Sequence, residues 1–136
     1  MPTRHRTILY VDDDTDDQFL AMETLSLLAP NATVVLAGNG LETLTYLNSV
    51  EDTALPGLII MDINMPLLNG KETVVRIRQQ PRFAAIPIVL FTTSSGLLDQ
   101  QFCEQYQVPF ATKPATSKEM KVVIENMLQL VVANCS

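Results

Sequence analysis

Leu58-Ile59-Ile60-Met61-Asp62-Ile63-Asn64-Met65-Pro66, with Asn69-Gly70 close behind, is the stretch whose reading decides the fold. Leu58 to Met61 are apolar without alternation, which suits a strand buried on both faces of a parallel sheet. A carboxylate follows. In mid-strand it would be costly to bury, but at the strand's end it can sit half-solvated among other polar groups. Met65-Pro66 then stops the strand, because proline cannot donate to a sheet ladder. Asp62 therefore reads as the reactive group, and the ends of the other strands as its attendants.

Four more strand-like runs flank this one: Thr7 to Val11, Thr33 to Ala37, Ile86 to Thr92 and Val108 to Thr112. Helical patterns alternate with them. The first opens on an Asp14 or Thr15 cap, has Asp16 and Asp17 in its positive first turn, and carries Phe19, Leu20, Met22, Leu25, Leu28 and Ala29 as a broad apolar face before Pro30. The second follows Asn39 with Glu42, a capping-box spacing, and continues through Leu41, Leu44, Tyr46 and Leu47. The third repeats that spacing at Asn69 and Glu72, with Val74, Val75 and Ile77 inward and Lys71, Arg76 and Arg78 outward as a solvated face. Ser94 or Ser95 is the expected cap of the fourth, which holds Leu97, Leu98, Phe102 and Tyr106. Thr116 and Glu119 cap the last, striped by Met120, Val123, Ile124, Met127, Leu128 and Val131. Strands alternating with helices over short connections predict an α/β fold, a five-stranded parallel sheet covered on both faces by five helices.

The 136 residues are about the size of one domain, so residues 1–136 are expected to form a single unit with one sizeable core. No apolar run approaches the ~18 residues of a membrane span. Met1 to Arg6 leads straight into a strand, so no leader peptide is expected, and nothing after the last helix suggests a second domain. Cys103 and Cys135 make neither a disulfide framework nor a metal site, and reduced thiols in the cytoplasm are the expectation. The net charge of −6 argues against nucleic-acid and anionic-membrane partners.

In an open α/β sheet, ligands bind beyond the carboxyl ends of the strands, at a switch point. Polar residues stand at four such ends here: Asp12-Asp13, Asp62, Thr92-Thr93 and Lys113. With strand order 2-1-3-4-5 the first and third strands are neighbours, and Asp12, Asp13 and Asp62 converge. Clustered carboxylates either raise a pKa or hold a hard cation. Oxygen ligands without His or Cys favour Mg²⁺ or Mn²⁺. Lys113 adds a compact positive charge, and Thr92 a hydroxyl donor. Together these suit phosphoryl transfer onto a carboxylate nucleophile.

At this point the sequence resembles the receiver domain of two-component response regulators, over essentially its whole length. The motifs are the acidic pair after the first strand, Asp62-x-x-Met65-Pro66 followed by Gly70, Thr92 after the fourth strand, and Lys113-Pro114 after the fifth. The resemblance implies a flavodoxin-like, three-layer α/β/α fold with a 2-1-3-4-5 sheet. It implies that Asp62 accepts a phosphoryl group from a partner histidine kinase or histidine phosphotransfer protein, in a bacterial signalling pathway with a further protein downstream. It assigns Mg²⁺ to Asp13, Asp62 and the Asn64 main-chain carbonyl, with Asp12 acting mainly through water, and the phosphoryl oxygens to Thr92 and Lys113. Asn64 and Ser94 fall near the hydrolysis path, and the Lys113-Pro114 peptide is commonly cis. The implied switch pairs Thr92 with an aromatic, here Phe110, which lacks a hydroxyl; Thr93 and Pro109 also depart from the usual pattern. A homodimer stays open, and no enzymatic activity is expected beyond self-phosphorylation from donors and slow autodephosphorylation.

Two other functions compete. A phosphatase of the haloacid-dehalogenase type also uses a strand-end Asp and Mg²⁺, but wants a second acid two residues on, where Asn64 stands, and a nucleophile on the first strand. A pseudo-receiver would bind its partner without phosphorylation; the complete acidic set and Lys113 argue against it. Elsewhere the plainer reading holds. His5 is incidental, the methionines with Phe19, Phe83, Phe91 and Phe102 are core, and Asp14, Asp16 and Asp17 serve the helix end.

Overall fold

The structure, a computed structural model, describes residues 7–92, 96–114 and 116–135, with side chains for all of these except Thr92 and 130–135. Its elements are β1 (Thr7–Val11), α1 (Thr15–Leu28), β2 (Thr33–Ala37), α2 (Gly40–Ser49), β3 (Leu58–Asp62), α3 (Gly70–Gln79), β4 (Ile88–Thr92), α4 (Leu97–Tyr106), β5 (Phe110–Thr112) and α5 (Ser117–Cys135), with a short 3-10 turn at Asp52–Ala54. The five strands are parallel and ordered β2-β1-β3-β4-β5. This is the doubly wound α/β sheet that the alternation of elements predicts.

Two apolar layers hold it together, one on each face. Ile8, Tyr10, Leu58, Ile60, Val89 and Phe91 pack against Ala21 and Leu25 of α1 and Met120, Ile124 and Met127 of α5. Leu9, Val11, Ile59, Met61, Ile88 and Leu90 turn the other way, to Leu47 of α2, Val74 and Ile77 of α3, Phe83, and Cys103 of α4. The split follows from the two-residue period of a strand. β3 is buried along its whole length, and each of the four apolar side chains from Leu58 to Met61 contributes roughly 1.5–3 kcal/mol. The period also fixes where the strand ends point: Asp12 continues the Ile8-Tyr10 series, Asp62 the Leu58-Ile60 series, and Lys113 follows Ala111, which packs in that same layer.

The caps behave mostly as their residue types dictate. Asp14 accepts the N–H groups of Asp16 and Asp17 at the start of α1. Asn69 and Glu72 form a reciprocal capping box on α3, and Thr116 with Glu119 caps α5. At α2 the box is only half made: Asn39 accepts from the Glu42 N–H, but Glu42 turns its own carboxylate one residue upstream, to the Gly38 N–H at 2.7 Å. The N-cap position of α4 is Gly96, which carries no side chain to accept from the helix; Ser94 and Ser95, the expected caps, lie outside the described residues, as do Thr93 and His5.

Several expected faces are corrected. α1 turns Ala21, Thr24 and Leu25 to the sheet and leaves Phe19, expected in the core, 64% exposed. Its apolar residues nearly encircle the helix, so periodicity alone does not select the side that packs. α4 buries Cys103, with Phe102 and Tyr106 half-buried, and presents Leu97 and Leu98 to solvent. Arg78 does not belong to a solvated face: it donates to the Ala84 and Ile86 carbonyls, closing the loop from α3 to β4. Lys71 pairs with Asp99 and lies over the Phe102 ring, joining α3 to α4. β4 starts at Ile88, two residues late, because Ile86 donates its N–H back to Phe83 and Pro87 has none to give. β5 starts at Phe110, since the Val108 N–H is taken by Cys103 at the end of α4, where Gln107 adopts a left-handed conformation. No cis peptide occurs among the described residues, so Lys113-Pro114 is trans, the isomer that proline favours by about 0.5–1 kcal/mol.

Gly70 sets the approach of α3 to β3. Its N–H donates to Ile63 O at 2.9 Å, and a Cβ there would lie 2.5 Å from Asp62 O and 2.8 Å from Ile63 Cα. Backbone cannot yield as a flexible side chain can, so only glycine fits. Gly70→Ala is expected to lower the unfolding free energy by about 2 kcal/mol in a urea titration, without changing the secondary-structure content.

Candidate functional site

Strand register places the polar ends. Val11 pairs with Met61, so Asp12 and Asp62 leave adjacent strands side by side. The Asp12 N–H still donates to Ala37 O at 3.0 Å, and the Ile63 N–H to Phe91 O at 2.9 Å. Both carboxylates are therefore carried on backbone held by the last rungs of the ladder. On the far side Thr92 pairs with Thr112, which sets Lys113 just beyond the sheet on the same face.

Asp12 is fully buried and heavily engaged. Its Oδ2 accepts from the Tyr10 hydroxyl at 3.1 Å and pairs with Lys113 Nζ at 2.6 Å, while Oδ1 accepts the Asp14 N–H at 3.0 Å. Its main-chain carbonyl accepts from Gln18 Nε2 at 2.7 Å. Asp62 is nearly as buried, and its contacts among the described residues are longer: the Asn64 N–H stands 3.4 Å from Oδ1 and Lys113 Nζ 3.5 Å from Oδ2. A third carboxylate, Asp17 on the first turn of α1, meets Lys113 Nζ at 2.8 Å. Asp13 is exposed at the mouth.

The electrostatics follow from this geometry. Burial raises the pKa of Asp62 above the ordinary carboxylate value; the charge of Lys113 opposes that shift and the charge of Asp12 adds to it. For Lys113, burial alone would lower the pKa, but hydrogen bonds to Asp12 and Asp17 and the charge of Asp62 prevail and push it up. Tyr10 is pushed far up, by burial first and then by Asp12, so it stays a donor. Among the described residues Lys113 is the only cation paired with these carboxylates.

Oxygens of Asp12, Asp13 and Asp62 all lie within 4.8 Å of one another. This donor set fits a hard divalent cation: it is oxygen only, it gathers more negative charge than one ammonium offsets, and it contains a desolvated carboxylate in Asp62. Asp12 has little left to give, since three protein donors already occupy its oxygens.

The expected residues are thus brought together unequally. Asp12, Asp62 and Lys113 converge, and Asp13 completes the acidic group. Asn64 follows Asp62 and is exposed. Thr92 ends β4 at the proper edge. Phe110 lies apart from the carboxylates, 39% exposed, lining a surface cavity of about 560 Å³ with Cys103, Val108 and Pro109. Three contributors were not expected. Tyr10 was readable, since the two-residue period puts it on the face of Asp12. Asp17 and Gln18 were not, because only the packing of α1 on the sheet directs them toward the strand ends, and local rules assign Asp17 to the helix terminus alone.

The family model for response regulator receiver domains matches residues 8–125. Among curated proteins, chemotaxis protein CheY1 of Helicobacter pylori is 32% identical over 122 residues, 89% of this chain and 95% of that protein. Response regulator Rcp1 of Synechocystis sp. is 32% identical over 92 residues, 65% of this chain and 63% of that longer relative. Among solved structures, the phosphorylated cyanobacterial phytochrome response regulator RcpA superposes with a TM-score of 0.85 at 26% identity, covering 97% of both chains. The Mn²⁺-bound form of Rcp1 gives 0.78 at 26% identity, covering 89% of this chain and 90% of that one.

A raised pKa at Asp62 means that the folded state holds its proton more tightly than the unfolded chain. Stability therefore falls as pH rises from about 4 through the folded-state value, and the ionised carboxylate is a net cost at neutral pH. In EDTA at pH 7, Asp62→Asn is expected to melt at a higher temperature than the parent, and the difference should vanish on acidification. Asp12→Asn should do the opposite, losing about 2 kcal/mol, because it weakens a buried ion pair and the Tyr10 and Asp14 hydrogen bonds. Thermal melts of the three proteins across pH check both signs.

Proposed function

The chain belongs to the response regulator receiver family, and from that premise we propose that it is a cytoplasmic, phosphorylation-dependent signalling switch whose acceptor is Asp62. The observation that carries this reading is the meeting of Asp12, Asp13 and Lys113 with the buried carboxylate of Asp62 at three strand ends. The relatives support it: the RcpA structure is of a phosphorylated protein and the Rcp1 structure is of a Mn²⁺-bound one.

The donor is a phosphohistidine on a histidine kinase or phosphotransfer protein. The bond between an Asp62 carboxylate oxygen and phosphorus forms as the P–N bond to the donor histidine breaks; the electron pair stays on the imidazole, which is reprotonated from solvent. Asp62 must be ionised to attack, and Lys113, held charged by its partners, favours that state. Asp13 and Asp62, with the Asn64 carbonyl, would hold Mg²⁺ or Mn²⁺ directly, and Asp12, whose oxygens are taken, would act through water. When bound, the cation neutralises charge on the phosphoryl oxygens and the attacking carboxylate. Lys113 then takes one phosphoryl oxygen and Thr92 another. Readout is by contact with a downstream protein, at the face formed by α4, β5 and α5. Phosphorylation brings negative charge and new acceptor oxygens that bias this face between two arrangements. Phe110 stands there in an outward setting.

Incubation with acetyl phosphate and Mg²⁺ is expected to label the protein once per chain. Labelling should be abolished by EDTA and by Asp62→Asn. Undiminished label on the Asn variant would reject Asp62 as acceptor, and rapid multiple turnover of ordinary phosphate esters would favour a phosphatase instead. Asp13→Asn should remove measurable Mg²⁺ binding at millimolar concentration and leave the fold no less stable in EDTA; a clear loss of stability there would assign Asp13 a structural role.

A further inference from the structure

We propose that Asp17 is a positioning residue for Lys113: it holds the ammonium in the resting protein and competes with the phosphoryl group for it. This deepens the phosphoacceptor reading and rests on it. Lys113 Nζ lies 2.6 Å from Asp12, 2.8 Å from Asp17 and 3.5 Å from Asp62. The lysine is thus drawn toward the two carboxylates that are not the acceptor. An ammonium has three N–H donors and one charge, and two close carboxylates spread that charge before any phosphoryl group arrives.

The two holders differ in what release would cost. Asp12 is sealed from water and bound from three sides, so losing Lys113 would leave an uncompensated buried charge. The Asp17 side chain is 31% exposed and sits in the first turn of α1, where water and the helix N-terminus accept a free carboxylate. Asp17 is therefore the partner that gives way when a doubly charged phosphoryl group settles on Asp62. It comes from a helix, whereas Asp12, Asp62 and Lys113 all stand at strand ends. Its contact with Lys113 ties α1 to the end of β5 in the resting state, and phosphorylation loosens that tie.

The test measures the rate of phosphorylation against acetyl phosphate concentration, at saturating Mg²⁺, for the parent, Asp17→Asn and Asp17→Glu, after circular dichroism has verified that each is folded. With the competing charge gone, Asp17→Asn should lower the KM for the donor roughly threefold, the scale of a partly exposed charge pair, with little change in kcat. Asp17→Glu, which restores the charge, should return KM toward the parent value. An unchanged or raised KM in the Asn variant, or a Glu variant indistinguishable from it, would overturn the role of Asp17 while leaving the acceptor reading intact. A parent that takes no label at Asp62 would overturn both.

Discussion

One ammonium group answers for several carboxylates at the carboxyl edge of this sheet. Asp12 and Asp62 leave neighbouring strands in adjacent register, both on the α1–α5 face, where their charges repel. Lys113 reaches across from β5 and lies within 3.5 Å of each. The strand order makes this reach possible, because β1 and β3 are neighbours and β5 stands two strands beyond β3. The remaining imbalance appears as a desolvated Asp62 that holds its proton more tightly than a free carboxylate would. Ionisation of Asp62 is thus opposed by its own burial, and a further positive charge beside it would relieve that cost.

Much of the fold was legible because the local rules agree with one another. Uninterrupted apolar runs marked buried strands, and Ser, Thr, Asn and Asp with acids three residues on marked helix starts. The same alternation that builds two cores carries Asp12, Asp62 and Lys113 to one face, so a strand-level argument was enough to assemble most of the site. It could have found Tyr10 as well.

What the sequence concealed depends on contacts between distant segments. Arg78 reads as a surface cation until the Ala84 and Ile86 carbonyls turn toward it. Phe19 reads as core until α1 settles with Ala21 and Leu25 against the sheet. Asp17 reads as a helix-dipole residue, and it occupies that position, but the crossing of α1 over the strand ends also delivers it to Lys113. Each of these residues satisfies a local rule and serves a second, tertiary demand that no local rule contains. The short β5 belongs here too: Gln107 ends α4 in a conformation usually left to glycine or asparagine, so Val108 is spent on the helix instead of the sheet.

The anchoring of α3 has a mechanical consequence. Its first residue is pressed against the backbone of Asp62 and Ile63, and near its other end Arg78 is clamped to two carbonyls. A helix fastened at both tips behaves as a strut, and it braces β3 from one flank. The strut is itself tied to α4 through Lys71 and Asp99, and both helices pack in one apolar layer, so the end of β3, α3 and α4 form a single chain of contacts along one face of the sheet.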